Sequence, residues 1–189
     1  MTKEYIFKSK RLGFRNWLTI DVEIMGEINS DEEVMEFFPG IKSKQETSEF
    51  IEKMQNQLQE KGFCYYAVDK LETSELIGFI GLSEQTFASD FTPSIDIGWR
   101  LKRDEWNKGY ATEGAKRCLD YAFSKLNLEK VIAITPIVNL KSEQVMKKIG
   151  MKKVKNFNHP ALADNERLRE CSLYEINASE FNPLNTLVE

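Results

Sequence analysis

One predicted strand of this sequence has polar residues on a face where a core strand normally has apolar ones. Along residues 94–101, Asp96, Gly98 and Arg100 alternate with four apolar residues, so the two sets lie on opposite faces of an extended chain. A carboxylate, a missing side chain and a guanidinium in register are unusual in a core unless that face meets solvent or a polar ligand. The polar face of this strand is therefore a candidate site.

A glycine-containing turn follows this strand and leads into a helix that is predicted to begin near Tyr110. Within residues 103–113, Gly109 and Ala111 are small, so a ligand could approach the backbone closely. A helix N-terminus presents unpaired N–H groups and the positive end of the helix dipole. The turn therefore favours a diphosphate site, and an ordinary left-handed turn before the helix remains the alternative.

The rest of the chain supplies the elements that must hold the strand and the turn in place. Apolar spacing predicts a helix over 44–61 that ends at Gly62, and a polar turn at 70–74 predicts an antiparallel hairpin. The other predicted strands are 11–17, 63–69, 76–82, 131–135, 151–157 and 169–176, and the other helical segments are 21–28, 31–38, 115–126 and 140–149. This order predicts an α+β fold with a largely antiparallel central sheet flanked by helices, as one domain over 1–189.

Composition excludes several classes of partner and location. The 26 Lys and Arg against 30 Asp and Glu give a net charge of −4, which disfavours nucleic-acid binding. Cys64, Cys118 and Cys171 have no CxxC spacing, so buried reduced thiols are expected rather than disulfides or a zinc site. The chain has neither a signal-peptide pattern nor a run of eighteen apolar residues, so we expect a cytoplasmic protein without a membrane segment.

Three motifs in order resemble the GNAT superfamily of N-acetyltransferases. They are IDIGWRL at 95–101, WNKGYATE at 106–113 and NLKSEQVMKKIGM at 139–151, and the subgroup that they resemble most is the RimJ/RimL type. The resemblance implies a GNAT-like fold with a splayed strand pair. It also implies acetyl transfer from acetyl-CoA to a primary amine, by direct attack in a ternary complex and without a metal. The amine would be a protein N-terminus, an amino acid or another small amine, and the enzyme would be a monomer or a homodimer.

The resemblance also implies where the cofactor binds. Strand 97–101 would splay from strand 131–135, and pantetheine would pair with the backbone of Trp99 and Leu101 in the gap. The phosphate loop maps to 106–111, Asn139 to the pantetheine arm and Ser142 to the thiol end. Asn139 and Ser142 also suit the start of a helix, and both roles can coexist. The implied cofactor-binding residues are Ile97, Gly98, Trp99, Arg100, Leu101, Asn107, Lys108, Gly109, Tyr110, Ala111, Thr112, Asn139 and Ser142.

The catalytic candidates are fewer. An attacking amine must lose a proton, and Asp96 on the polar strand face is the first choice of base, with Glu84 second. An ion pair between Asp96 and Arg100 is the structural alternative. Met146 stands where many relatives carry a tyrosine that protonates the departing thiolate, so Ser142 or water would have to serve.

The acceptor should be enclosed by residues 34–40, the turn after Leu82 and the loop over 157–167. Phe38 and His159 are the acceptor-binding candidates, although an exposed loop histidine is usually inert. A non-catalytic acyl-CoA-binding module is the alternative function, because Met146 occupies the acid position and no base is compelling. A purely structural α+β protein is a third and weaker possibility.

Overall fold

A computed structural model of the chain describes residues 4–182. Within that range the chain forms one eight-stranded sheet and four α-helices. The strands are β1 Phe7–Lys8, β2 Leu12–Arg15, β3 Tyr65–Lys70, β4 Leu76–Gln85, β5 Ser94–Leu101, β6 Lys130–Pro136, β7 Lys152–Asn158 and β8 Glu170–Asn177. The helices are α1 Asp21–Ser30, α2 Lys44–Lys61, α3 Tyr110–Ser124 and α4 Leu140–Lys148.

The sheet is mixed and largely antiparallel, as the sequence predicts. Its strand order is β1-β2-β3-β4-β5-β6-β8-β7, and every neighbouring pair is antiparallel except β5 and β6. Strand β5 pairs with β4 along its whole length, from Ser94 to Leu101. By contrast, β5 and β6 are in register at one position, where Asp96 lies opposite Ile132. The two central strands therefore diverge beyond Asp96, as expected for a splayed pair.

Both ends of helix α2 carry capping interactions. Ser43 accepts a hydrogen bond from the Glu46 N–H at 3.2 Å, and the Glu46 carboxylate accepts one from the Ser43 N–H at 2.9 Å. At the other end Gly62 has φ 77°, and its N–H donates to the Leu58 carbonyl at 2.9 Å. The predicted bounds of this helix are confirmed.

The prediction of a helix over 31–38 is wrong. The segment forms successive turns, in which Asp31 Oδ1 accepts from the Glu33 N–H at 2.9 Å and from the Val34 N–H at 3.3 Å. The Met35 N–H donates to the Asp31 carbonyl and the Phe38 N–H to the Met35 carbonyl, both at 2.9 Å, so the hydrogen bonds are those of separate turns. Pro39 disfavours a helical backbone at Phe38, and the turns are held by the packing of buried Val34 and Met35. The predicted strand at 11–17 is shorter, at Leu12–Arg15, and the sequence reading missed β1 before it.

A buried ion-pair network fixes α1 to the sheet. Arg15 lies between two carboxylates, with Nη1 at 2.7 Å from Asp21 Oδ2 and Nε at 2.8 Å from Asp69 Oδ2. The two acids belong to the start of α1 and to β3, so the network sets where α1 crosses the sheet. The cysteines are buried and free, as predicted. Among the described residues, no helix is both long enough and apolar enough to cross a membrane.

Candidate active site

The end of β5, the turn before α3 and the start of α4 enclose a cavity of about 330 Å³, which is large enough for part of a cofactor. The residues predicted from sequence that line it are Phe38, Trp99, Arg100, Leu101, Asn107, Gly109, Tyr110, Ala111, Thr112, Asn139 and Ser142. The predicted residues that do not line it are Glu84, Asp96, Ile97, Gly98, Lys108 and His159. The structure therefore brings most of the predicted cofactor residues together and separates some of the catalytic candidates from them.

The backbone of β5 presents hydrogen-bonding groups to the gap. The N–H of Lys102 donates to the Ile77 carbonyl of β4 at 2.8 Å. Backbone groups of a strand alternate in direction, so those of Trp99 and Leu101 face away from β4 towards β6. The Leu101 carbonyl already accepts from Trp106 Nε1 at 2.8 Å. Trp99 therefore offers the less committed backbone for an extended ligand in the gap.

The turn before α3 is built around a residue with positive φ. Gly109 is the N-cap of α3 with φ 83°, and no side chain caps the helix there. The first intrahelical bond runs from the Glu113 N–H to the Gly109 carbonyl at 3.0 Å, so the N–H groups of the three residues between them are left without intrahelical acceptors. Because all three of these residues line the cavity, the turn offers a cluster of donors to an anion.

The start of α4 forms another wall of the cavity. Asn139 is the N-cap, and its Oδ1 accepts from the Ser142 N–H at 3.1 Å. Asn139 therefore caps α4, which is one of the two roles that the sequence suggested for it, and it also lines the cavity. Val145 faces the cavity, whereas Met146 is 2% exposed and belongs to the core.

Two lysines also lie at this wall: Lys141, which the sequence analysis missed, and Lys148, whose cluster with Lys147 it interpreted as a solvated face or a contact to the CoA 3′-phosphate. Lys141 Nζ is 4.6 Å from the centre of the Trp106 ring, and Lys148 lines the same cavity. Lys108, which was predicted to contact the cofactor, instead pairs with Glu105 at 2.9 Å. Lys141 is the second residue of α4, so its nearness in sequence to Asn139, which was predicted for the site, was the available signal.

Asp96 is buried at the point where β5 and β6 meet. Its side chain accepts a hydrogen bond from the Tyr65 hydroxyl at 2.7 Å. Burial raises the pKa of Asp96 to about 6, and the hydrogen bonds from Tyr65 and Gln85 oppose that rise. The alternative ion pair with Arg100 is not formed, because Arg100 Nη1 donates to Asn29 Oδ1 at 2.6 Å instead.

Tyr65 also explains why residue 98 is a glycine. A Cβ atom added at Gly98 would lie 3.0 Å from the Tyr65 ring, which is closer than side chains normally tolerate. In register, Tyr65 lies opposite Gly81, and Gly81 lies opposite Gly98. An aromatic residue and two glycines thus lie in one row across three strands. The predicted hairpin register pointed to this row, and the sequence analysis missed it. Gly98 thus makes room for the tyrosine that holds Asp96.

Glu84 lies apart from the cavity. It is still within β4, which extends to Gln85, rather than beyond the end of the strand as predicted. Its carboxylate is paired with Lys61 at the end of α2. A carboxylate held in this way is poorly placed to accept a proton from an amine in the cavity.

His159 also lies outside the cavity, in the loop between β7 and β8. Its ring is 4.5 Å from that of Phe87, and its Nδ1 accepts from the Ala161 N–H at 3.2 Å. Burial lowers its pKa. The same loop reaches the 31–38 segment, where Arg167 pairs with Glu36. Of the three segments predicted to enclose the acceptor, only 34–40 lines the cavity; the turn after Leu82 and the loop over 157–167 do not, and the loop contacts the 31–38 segment from outside.

Metal chemistry has no obvious support from side-chain clusters. Within residues 4–182, no three His, Cys, Asp or Glu side chains come together as a metal-binding group. The cavity lining includes groups that bind anions, namely the backbone N–H groups at the start of α3, Arg100, Lys141 and Lys148. Its two carboxylates, Glu33 and Glu105, are paired with Arg103 and with Lys70 and Lys108 respectively.

Comparison with known proteins identifies relatives over most of the chain. A family model described as an acetyltransferase (GNAT) domain matches residues 11–152. YkkB of Bacillus subtilis is 34% identical over 143 residues, which cover 72% of this chain and 80% of YkkB. YnaD of the same species, described as an uncharacterized N-acetyltransferase, is 30% identical over 77% of this chain and 81% of its own. A solved GNAT-family acetyltransferase from Bacillus anthracis has a TM-score of 0.78 and 29% identity, covering 92% of this chain and 98% of that one.

Proposed function

This chain belongs to the acetyltransferase (GNAT) domain family, and on that premise we propose that it transfers the acetyl group of acetyl-CoA to a primary amine by direct attack in a ternary complex. The observation that carries the proposal is the single point of register between β5 and β6, where Asp96 lies opposite Ile132. The strands diverge from that point, and the cavity lies beside the part of β5 that diverges. A linear thioester could enter such a gap and present its carbonyl near Asp96.

Family members use acetyl-CoA, and the cavity has groups that suit its diphosphate and its pantetheine arm. The free N–H groups at the start of α3 would bind the diphosphate, with Lys141 and Lys148 as nearby cations. The backbone of Trp99 would pair with pantetheine amides, much as an added strand would. Asn139 would contact the same arm from the other side.

The chemistry follows from what an amide-forming transfer requires. The amine nitrogen attacks the thioester carbonyl carbon, the carbon–sulfur bond breaks, and the thiolate leaves and takes up a proton. Asp96 is our candidate to receive the amine proton, because its raised pKa places it between acid and base near neutral pH and Tyr65 fixes its position. The Trp99 N–H would stabilise the oxyanion, and Ser142 or water would protonate the thiolate.

The finer assignments belong to the same proposal. We propose that the chain belongs to the RimJ/RimL-type subgroup that its motifs resemble, which favours an acceptor that is a protein N-terminus, an amino acid or another small amine. We further propose that residues 1–189 act as one domain, as a monomer or homodimer, in the cytoplasm. Neither a metal nor nucleic acid has a part in the proposed reaction.

A non-catalytic acyl-CoA-binding module is the second candidate. It is favoured by Met146, which is 2% exposed in the core at the position where many relatives have an acid tyrosine. A protein of this kind would bind acetyl-CoA in the same cavity without turnover.

Two measurements on the purified protein separate these readings. Calorimetry should show binding of acetyl-CoA, and a thiol assay should show release of CoA when an amine is added from a panel of amino acids, peptides and polyamines. Binding without thiol release above the rate of hydrolysis for every amine would favour the binding module. Absence of acetyl-CoA binding would overturn both readings.

A further inference from the structure

Arg100 is a cation on the α1 face of the cavity with no anionic partner among the described residues. Its guanidinium donates from Nη1 to Asn29 Oδ1 at 2.6 Å. It also lies 4.0 Å from the centre of the Phe38 ring and 5.4 Å from that of Phe79. Its Nε–H is buried without a hydrogen-bond partner. All the partners that the fold provides are therefore neutral.

The carboxylates near this cation are committed to other residues. Glu33, which lines the same cavity, is paired with Arg103. Glu105, which also lines it, is held by Lys70 at 2.8 Å and by Lys108 at 2.9 Å. Burial lowers the pKa of Arg100 to about 10, so the group is still cationic at neutral pH. Arg100 is partly buried, with its Nε–H fully shielded, and a cation in such a place without a counter-ion is unfavourable unless a ligand supplies the negative charge.

The position of this cation points to the acceptor rather than to the diphosphate. Arg100 shares the polar face of β5 with Asp96 and Gly98 and lies two residues beyond Gly98, which is roughly 7 Å along a strand. Helix α3 packs on the opposite face, because a Cβ on its Gly114 would meet Ile80, and Ile80 lies opposite Trp99 in register. The donors of the α3 turn and the Arg100 side chain are thus on different faces of the sheet.

We propose that Arg100 binds a carboxylate of the acceptor, so that the acceptor is a primary amine that also carries a carboxylate, such as an amino acid or short peptide, rather than a polyamine. This inference rests on the proposed acetyl transfer and names the substrate class for it. The guanidinium matches a carboxylate in plane, and Phe38 covers one of its flat faces and leaves its edge for a second planar group. Asn29 fixes the orientation of that edge, and the Asn29 Nδ2 is itself held by Thr47 Oγ1 at 2.9 Å.

The first test compares acceptors that differ only in charge. Glycine, β-alanine, γ-aminobutyrate and longer homologues are assayed beside their carboxamides, with spermidine as the polyamine. The wild type should prefer the carboxylate of the best pair by about 10- to 100-fold in kcat/KM, the range of a charge-assisted hydrogen bond. Arg100→Gln should remove that preference by slowing the carboxylate and not the carboxamide. An equal loss on both acceptors would assign Arg100 a structural role and overturn the inference.

A second variant tests the charge without removing the arginine. Asn29→Asp keeps the shape of the side chain and places a carboxylate at the 2.6 Å contact, where it neutralises Arg100 internally. The preference for carboxylate acceptors should again disappear, and circular dichroism should show that the variant keeps the fold although it loses the Nδ2–H donor to Thr47. A variant that folds and still prefers the carboxylate would contradict the proposal.

Binding of the acetylated products tests the carboxylate site independently of turnover. With CoA present, the N-acetylated acids should bind the wild type by calorimetry about tenfold or more tightly than the N-acetylated carboxamides, and Arg100→Gln should equalise them. This difference is expected whether or not turnover is observed. If amines are acetylated but neither charge nor Arg100 matters, the acetyltransferase proposal stands and the carboxylate site is wrong.

Discussion

Asp96 combines two properties that a surface carboxylate lacks. It is 7% exposed, and burial raises its pKa to about 6. It is also held in one position by the Tyr65 hydroxyl at 2.7 Å. The ion pair with Arg100 that the sequence left open would have lowered the pKa instead. The structure therefore favours Asp96 as a proton acceptor over Asp96 as half of a salt bridge.

Asp96→Asn is expected to lower kcat by about 10²- to 10⁴-fold, the usual contribution of a general base. In the wild type, kcat/KM should fall below about pH 6 as Asp96 becomes protonated, and the variant should lose that limb. Rates across pH 5–8 at one acceptor would show this. Glu84→Gln is the matched control, because Glu84 is paired with Lys61 away from the cavity and its removal should leave the rate near wild type. Less than about threefold loss in Asp96→Asn would remove Asp96 as the base.

The same group makes a prediction about stability. The pKa of Asp96 is higher in the folded protein, about 6, than the ordinary value of 3.8, so the folded state holds the proton more tightly. Its contribution to stability is therefore present below about pH 4 and is lost as the pH rises towards 6, by roughly 2 to 3 kcal/mol. Asp96→Asn has no such loss and should exceed the wild type in urea denaturation at pH 7.5 but not at pH 4. Parallel pH dependence of the two proteins would show that burial of the charge costs little.

His159 should behave as a packed loop residue. Its Nδ1 accepts a backbone hydrogen bond from Ala161, its ring packs on Phe87, and it does not line the cavity. We expect His159→Gln to keep the wild-type pH–rate profile and acceptor KM within about twofold, because no reacting group depends on its titration. A change confined to the acidic limb or to the acceptor KM would return His159 to the site.

At the scale of elements, the turn before α3 is the feature most exposed to a direct test. Gly109→Val places a β-branched side chain at φ 83° and in the approach to the N–H groups of the first turn. Acetyl-CoA affinity by calorimetry should fall at least about tenfold. Gly62→Val is the matched control, since Gly62 has φ 77° at the far end of α2 with open space around it. It should lose similar stability but keep its affinity. Equal affinity losses in both variants would make backbone strain the cause.

Local elements were predictable because their signals are local. The cap at Ser43, the stop at Gly62 and the alternation along β5 each depend on neighbours in sequence. The structure agrees with the two helix ends, and with the alternation in that Gly98 faces Tyr65 whereas Trp99 shares the opposite face with Ile80. The 31–38 segment failed because its apolar spacing suits a helix, whereas Asp31 caps a turn and Pro39 follows closely. The missed strand β1 is two residues long and is defined by its pairing with β2.

At the scale of the whole molecule, the family motifs predicted the fold and most of the residues that line the cavity. They did not predict the features that depend on contacts between residues far apart in sequence. The placement of β8 between β6 and β7 depends on tertiary pairing. The contact of Tyr65 with Asp96 joins residues 31 positions apart, and that of Arg100 with Asn29 joins residues 71 apart. Asp96 and Arg100, which we assign to the acceptor end, could be identified from the sequence as polar strand residues. Their partners Tyr65 and Asn29 could not.

The single point of register between β5 and β6 has a consequence for how the molecule opens. Backbone pairing joins the five strands β1–β5 to the three strands β6–β8 at one position, Asp96 opposite Ile132, and we call these two parts of the sheet plates. Outside the sheet they also touch where His159 packs on Phe87 and Arg167 pairs with Glu36. Without cofactor, the smaller plate should detach in partial openings, so its amides should exchange hydrogen at a lower free energy than those of β3 and β4. Saturating acetyl-CoA should clamp the plates together and bring the two exchange free energies closer in native-state hydrogen exchange. In Gly109→Val the difference between the two exchange free energies should persist at the same concentration of acetyl-CoA. If acetyl-CoA leaves the difference between the two exchange free energies unchanged in the wild type, the plates are already joined by helix packing. The cofactor would then bind in a rigid cavity without stabilising the contact between the plates.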